Sequence, residues 1–200
     1  MLIGHDENDV GPAHPRSVGP HRRIGGWFDG AMSDDLTQRA AATRRIPAPP
    51  AEVYRVLSDP RGHVAIDASG MLLGAPDTKP AAAVGDVFLI DMDREALGDR
   101  PLGTYKSQCT ITRIEANRLI EWNVQLAGDA RPPIGHVYGY ELTDNGDGTT
   151  EVTSYIDWSA VPDKYKVPGA WPIVPQTALR ATLGILERVI VRQVPLDLFG

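Results

Sequence analysis

The sequence predicts an α+β domain: a curved antiparallel β-sheet of about six to seven strands, with two short helices after the first strand and one long C-terminal α-helix laid across it. Three observations predict this. Segments with β-type alternation follow one another from residue 84 to 159 and are joined by short turns, the pattern of a meander. A single long amphipathic segment, residues 174–194, closes the chain; its Leu179, Leu183, Leu186 and Ile190 recur at spacings of four, three and four, one face of an α-helix. A sheet of this size has one face to bury, and only this helix is long enough to cover it.

The elements follow in order. Residues 1–33 carry six glycines and three prolines with no apolar periodicity, so they are expected to be a disordered tail before a folded domain spanning 34–200. Met32 stands at that junction, which makes it a candidate translation start. His5, His14 and His21 lie in the tail, and their spacing fits no compact metal motif. Residues 37–46 read as a first strand, broken by Pro47, Pro49 and Pro50. Pro50 then opens a helix over 51–58, which Pro60 ends. A short helical or irregular piece (GHVAID), a short strand at 71–73 and a turn-rich link at 74–80 come next. Strands are expected at 86–93, 105–114, 119–126, 136–143 and 150–159. The last two form a hairpin around Asp144-Asn145-Gly146-Asp147-Gly148, whose Asn-Gly and Asp-Gly pairs supply positive φ. Residues 161–174 form a Pro-rich loop in which Trp171 is expected to be exposed. Pro175 and Pro195 mark the ends of the closing helix.

Bulk properties narrow the function. The net charge is −6 without long runs of one sign, which argues against nucleic acid as the main partner and against a polybasic membrane anchor. Cys109 is the single cysteine, so neither an intrachain disulfide nor a Cys-rich zinc site can form. No apolar stretch approaches the roughly 20 residues needed to cross a bilayer, so stable membrane insertion is not expected. The N-terminus lacks the pattern of a secretory signal, and a cytoplasmic location is the expectation.

Residues 46–63, IPAPPAEVYRVLSDPRGH, combine a strand ending in Ala-Pro, a helix with a Val-aromatic step, and an Asp-Pro-x-x-His close. Together with Gly85-Asp86 at the start of a strand, the stretch NGDGTTEVT at 145–153 and the closing helix, they resemble the START-like or SRPBCC superfamily over roughly residues 37–195. That group includes polyketide cyclases/dehydrases, plant pathogenesis and hormone-receptor proteins related to birch pollen allergen, and lipid-transfer START domains. Ile66 stands near where many bacterial members carry a Trp, and the Pro-rich loop is not a general feature. The resemblance implies the helix-grip fold, a strongly bent sheet wrapped around the C-terminal helix and enclosing a cavity. It does not fix a reaction. His63 matches the Asp-Pro-x-x-His position and is expected to cap or hydrogen-bond the short helices.

Period-2 alternation assigns the inward faces. They are Tyr105, Ser107, Cys109 and Ile111; Ile120, Trp122 and Val124; His136, Tyr138 and Tyr140; and Val152, Ser154, Ile156 and Trp158. With Leu179, Leu183 and Leu186 of the helix, the candidate ligand-binding residues are Cys109, Ile120, Trp122, Val124, Ile156 and Trp158. An apolar, aromatic surface with a few polar groups is how small-molecule pockets are built. A hydrophobic ligand is therefore the expected partner: a lipid, a polyketide or an isoprenoid-like molecule.

Two alternatives stay open. One is a cyclase/dehydratase-type enzyme using His136 as acid/base with Tyr138 or Tyr140 as hydrogen-bond donor. The other is an interaction protein with a filled core. Asp91 and Asp93 are expected at a solvated edge, and Cys109 as a buried, inert thiol rather than a nucleophile. Only His63 and His136 lie in the folded part, so no metal site is expected. No phosphate-cradling loop, nucleophile elbow or dinucleotide fingerprint is present, and no cofactor is expected. Residues 144–149 superficially resemble a calcium loop but lack the distal Glu ligand. Gly184, mid-helix, is expected to let a ligand or a sheet aromatic approach the backbone.

Overall fold

The computed structural model describes residues 38–77, 79–95 and 102–199. The expected tail, the Met32 start and the three tail histidines lie outside the described residues. Seven strands form one antiparallel sheet: β1 (Arg39–Ile46), β2 (Leu72–Gly74), β3 (Val87–Asp93), β4 (Thr104–Glu115), β5 (Leu119–Leu126), β6 (Val137–Asp144) and β7 (Thr150–Asp157). Their order across the sheet is β1-β7-β6-β5-β4-β3-β2. The meander thus runs from β2 to β7, and β1 closes against β7 in full register from Arg39↔Asp157 to Ile46↔Thr150. With helices α1 (Pro50–Ser58), α2 (Pro60–Ala65) and α3 (Gln176–Val191), this is the helix-grip α+β fold. A register shift in β4 between Ile111 and Arg113 marks a bulge, a device that bends a strand.

The prolines set the helix starts. Pro50 occupies the first turn of α1. Pro60 does more than end that helix: it opens α2, with the Asp59 carboxylate accepting from the Arg61 backbone N–H at 2.9 Å as an N-cap. The stretch GHVAID is therefore mostly helical rather than irregular. Gly62 lets α2 back onto the last turn of α1, since a Cβ there would lie 1.8 Å from the Val56 carbonyl oxygen.

Helix α3 begins one residue after the expected Pro175, which is its N-cap, and ends three residues short of Val194, because Arg192 caps it. Its buried face is Leu179, Leu183, Leu186, Val189 and Ile190. Two polar ties hold it along β1: Gln176 Nε2 donates to the Ala41 carbonyl at 2.8 Å, and Arg44 pairs with Glu187. Gly184 departs from expectation, since a Cβ there would meet nothing within 4 Å and no close approach requires it. Trp171 is half-buried rather than exposed, its indole N–H donating to the Tyr165 carbonyl at 3.0 Å. The 144–149 stretch is a hairpin turn, with Gly146 and Gly148 at positive φ and Asn145 N–H bonded to the Thr149 carbonyl at 3.1 Å.

The face of the sheet opposite α3 carries its own buried cluster. Glu121, Gly139 and Tyr155 are cross-strand neighbours. The Tyr155 ring lies over Gly139, where a Cβ would come within 2.4 Å of it, and its hydroxyl donates to Glu121 Oε2 at 2.7 Å. The Arg39 guanidinium covers the ring at 4.1 Å. Among the described residues no helix is long and apolar enough to cross a membrane.

Candidate functional site

A cavity of about 420 Å³ lies between the sheet and the N-terminal part of α3. Alternation along each strand decides which side chains reach it. β3 supplies Phe88, Ile90 and Met92; β4 supplies Tyr105, Ser107 and Cys109; β5 supplies Trp122 and Val124. His136, just before β6, joins Tyr138 and Tyr140. Leu179 and Thr182 come from α3, Ile173 and Val174 from the loop before it, and His63 from α2.

Several expected lining residues do not face this space. Ile120, Ile156, Leu183 and Leu186 are fully buried in the solid core next to it. They share the inward faces, but α1, with Val53, Val56 and Leu57 buried in the same core, fills that end of the grip. Trp158 lies past the end of β7, outside the cavity, and stacks on Trp171 with ring centroids 6.0 Å apart. Asp91 pairs with Lys106 on the exposed side, and the Asp93 carboxylate accepts from the Glu95 N–H at 2.7 Å.

The aromatic rings form a continuous series through the site. Trp171 meets His136 edge-on at 5.2 Å, His136 meets Tyr138 at 5.7 Å, and Tyr138 stacks on Trp122 at 6.1 Å. Trp122 then stacks on Tyr140 at 5.8 Å and meets His63 edge-on at 4.7 Å. His63 hydrogen-bonds the Leu57 carbonyl near the end of α1, as expected of a residue tying the short helices, and its ring also forms part of the cavity wall. Phe88, Ile90 and Met92 were also not singled out, although the alternation in DVFLIDMD places them on one face.

Burial governs the titrating groups. It pushes the pKa of both His63 and His136 down to about 4, so both rings are neutral near pH 7. His63 Nε2 and His136 Nδ1 are buried and without hydrogen-bond partners. Burial pushes the Cys109 thiol up to about 12 and outweighs its hydrogen bond to Ser107, leaving it an inert thiol. Tyr140 is likewise pushed well above its ordinary value by burial, and it is hydrogen-bonded to Ser154. The Asp67 carboxylate at the cavity edge accepts from Ser69 N–H at 2.8 Å and from Leu72 N–H at 3.0 Å. Among the described residues no group of three or more His, Cys, Asp or Glu is arranged to hold a metal ion.

Residues 37–191 match the family described as polyketide cyclase/dehydrase and lipid transport. The chain belongs to this family. The match spans both the grip and the helix, in line with the START-like resemblance. Among the curated relatives of the chain is Rv0088 of Mycobacterium tuberculosis, described only as uncharacterised, 27% identical over 122 residues. The aligned region is 61% of this chain and 48% of that protein, so the chain spans about half the length of the curated relatives it matches. Protein NE0264 of Nitrosomonas europaea has a similar solved structure, with a TM-score of 0.56 at 16% identity, covering 80% of this chain and 97% of that one. Protein CV1439 of Chromobacterium violaceum gives 0.55 at 17%, covering 76% and 97%. DynU16, a protein of the dynemicin biosynthetic locus, gives 0.52 at 18%, covering 80% and 49%. These likenesses show the shared fold.

Proposed function

We propose that the protein binds an apolar small molecule, of lipid, polyketide or isoprenoid type, in the cavity beneath the N-terminal part of α3. One observation carries this reading: a space of about 420 Å³ walled by aromatic and aliphatic side chains, in a domain whose adjoining core is closed to solvent. Protein interiors are packed so that voids much larger than a water molecule are rare. Small-molecule pockets commonly run from about 300 to 1,000 Å³ and are apolar with few polar groups. A filled core acting only through its surface would not need this opening. Native mass spectrometry of the purified protein, followed by titration with a lipid, polyketide and isoprenoid panel while Trp fluorescence is monitored, tests it. We expect a co-purified apolar ligand or saturable binding; no saturable binding across the panel overturns the reading.

A second reading, a cyclase/dehydratase-type proton transfer, is favoured by the buried, unpartnered Nδ1 of His136 beside Tyr138. As a neutral imidazole at pH 7, His136 can accept a proton. The same burial makes it a weak base and leaves it no second proton to give. Tyr140, pushed above its ordinary pKa, keeps its proton and acts only as a hydrogen-bond donor. His136→Ala separates the two readings: lost turnover with retained binding supports catalysis, and unchanged turnover removes His136 from the chemistry. The loop before α3 contributes Ile173 and Val174 to the wall and is the natural candidate for a lid.

A further inference from the structure

The His63 ring is packed among Trp122 at 4.7 Å, Phe88 at 5.3 Å and Tyr140 at 6.5 Å. It is 7% exposed and lines the cavity. Its single ring N–H donates to the backbone carbonyl of Leu57, near the end of α1. The other ring nitrogen, Nε2, is buried and has no partner. A neutral imidazole has one N–H, and the Leu57 bond uses it. Nε2 therefore presents a lone pair and accepts only. Burial among apolar rings disfavours the imidazolium that would turn it into a donor.

This restricts what can complete the site. A carbonyl, ether or carboxylate oxygen offers Nε2 nothing, whereas a hydroxyl or N–H satisfies it. The atom has almost no accessible surface, so a donor reaches it only from a molecule that parts the rings around it and seats itself among them. Flat rings stack well on such walls. We propose that His63 Nε2 is the polarity-reading atom of the cavity, accepting a hydrogen bond from the hydroxyl of an aromatic or conjugated ring seated against Trp122. The cavity then selects phenols and enols over their O-methylated or deoxygenated counterparts. His63 acts here as a positioning and selectivity residue. The inference rests on the ligand-binding reading above and narrows its substrate class.

The test compares 2-naphthol, 2-methoxynaphthalene and naphthalene by titration against the full chain, with palmitate and farnesol as non-aromatic controls. We expect 2-naphthol to bind about tenfold more tightly than 2-methoxynaphthalene, roughly the worth of one net hydrogen bond. His63→Phe should abolish that ratio while still binding naphthalene, and His63→Gln, which keeps an acceptor, should restore part of it. If His63→Phe does not fold, nitrogen NMR of the wild-type imidazole gives the same answer: the Nε2 resonance should shift with 2-naphthol and stay put with 2-methoxynaphthalene. Equal binding of the three naphthalenes, or an unchanged ratio in His63→Phe, overturns the inference and leaves the binding reading intact. Binding of palmitate or farnesol with no naphthalene bound also overturns it. Failure of all five compounds overturns both.

Discussion

His63 and His136 are the residues whose protonation links the cavity to stability. Burial holds each near pKa 4, against an ordinary value of 6.5. Between those values the unfolded chain binds protons that the folded chain refuses. Stability therefore rises with pH through this window and is lost as pH falls through it. At about 1.4 kcal/mol per pKa unit, each histidine costs on the order of a few kcal/mol at the acid end. We expect the urea midpoint to drop between pH 7 and pH 4.5, and the drop to shrink in a His63→Phe/His136→Phe double variant; an undiminished drop would assign the acid sensitivity to other groups. At this scale the sequence was legible where strands are long. Alternation placed Tyr105, Ser107 and Cys109 on one face and Trp122 with Val124 on the next, all of which line the cavity. It could not place His63, which sits on the six-residue α2, too short to define a face, and meets partners from three distant strands.

Two helical glycines have opposite consequences for their elements. At Gly62 a Cβ would sit 1.8 Å from a backbone oxygen of α1, so Gly62→Ala has to pry α2 from α1. We expect a loss of about 3 kcal/mol or more, seen as a lowered denaturant midpoint or as failure to accumulate folded protein. At Gly184 the space is open, so Gly184→Ala should stabilise α3 by up to about 1 kcal/mol and raise the thermal midpoint. A fall in that midpoint would mean that something occupies the space in solution. Proline chemistry made the helix starts legible, at Pro50 and Pro175. The far end of α3 was not, because Gln193 leaves the helix at φ 50, a conformation that a Gln does not announce.

At the scale of the whole molecule, turn chemistry and strand alternation made the meander readable in the sequence. Where the molecule is hollow was not readable, because Leu179 and Leu183 belong to the same apolar stripe. One lines the cavity and the other is sealed in the core. The division arises only when α1 is packed into one end of the grip. Leu183→Ala should therefore cost about 2–5 kcal/mol, as core truncations do. Leu179→Ala should cost distinctly less and admit bulkier ligands; equal losses in a denaturation series would mean that the space is filled in solution. The two polar ties of α3 give this division a further meaning. Gln176 to Ala41 and Arg44 to Glu187 both run to β1, while Phe88, Ile90, Tyr105 and Trp122, which shape the cavity, sit on β3, β4 and β5. The strands that line the cavity are thus separate from the strand that anchors the roof. Substitutions in that wall leave both ties of the helix in place, so the shape of the cavity and the anchoring of its roof are separable by mutation.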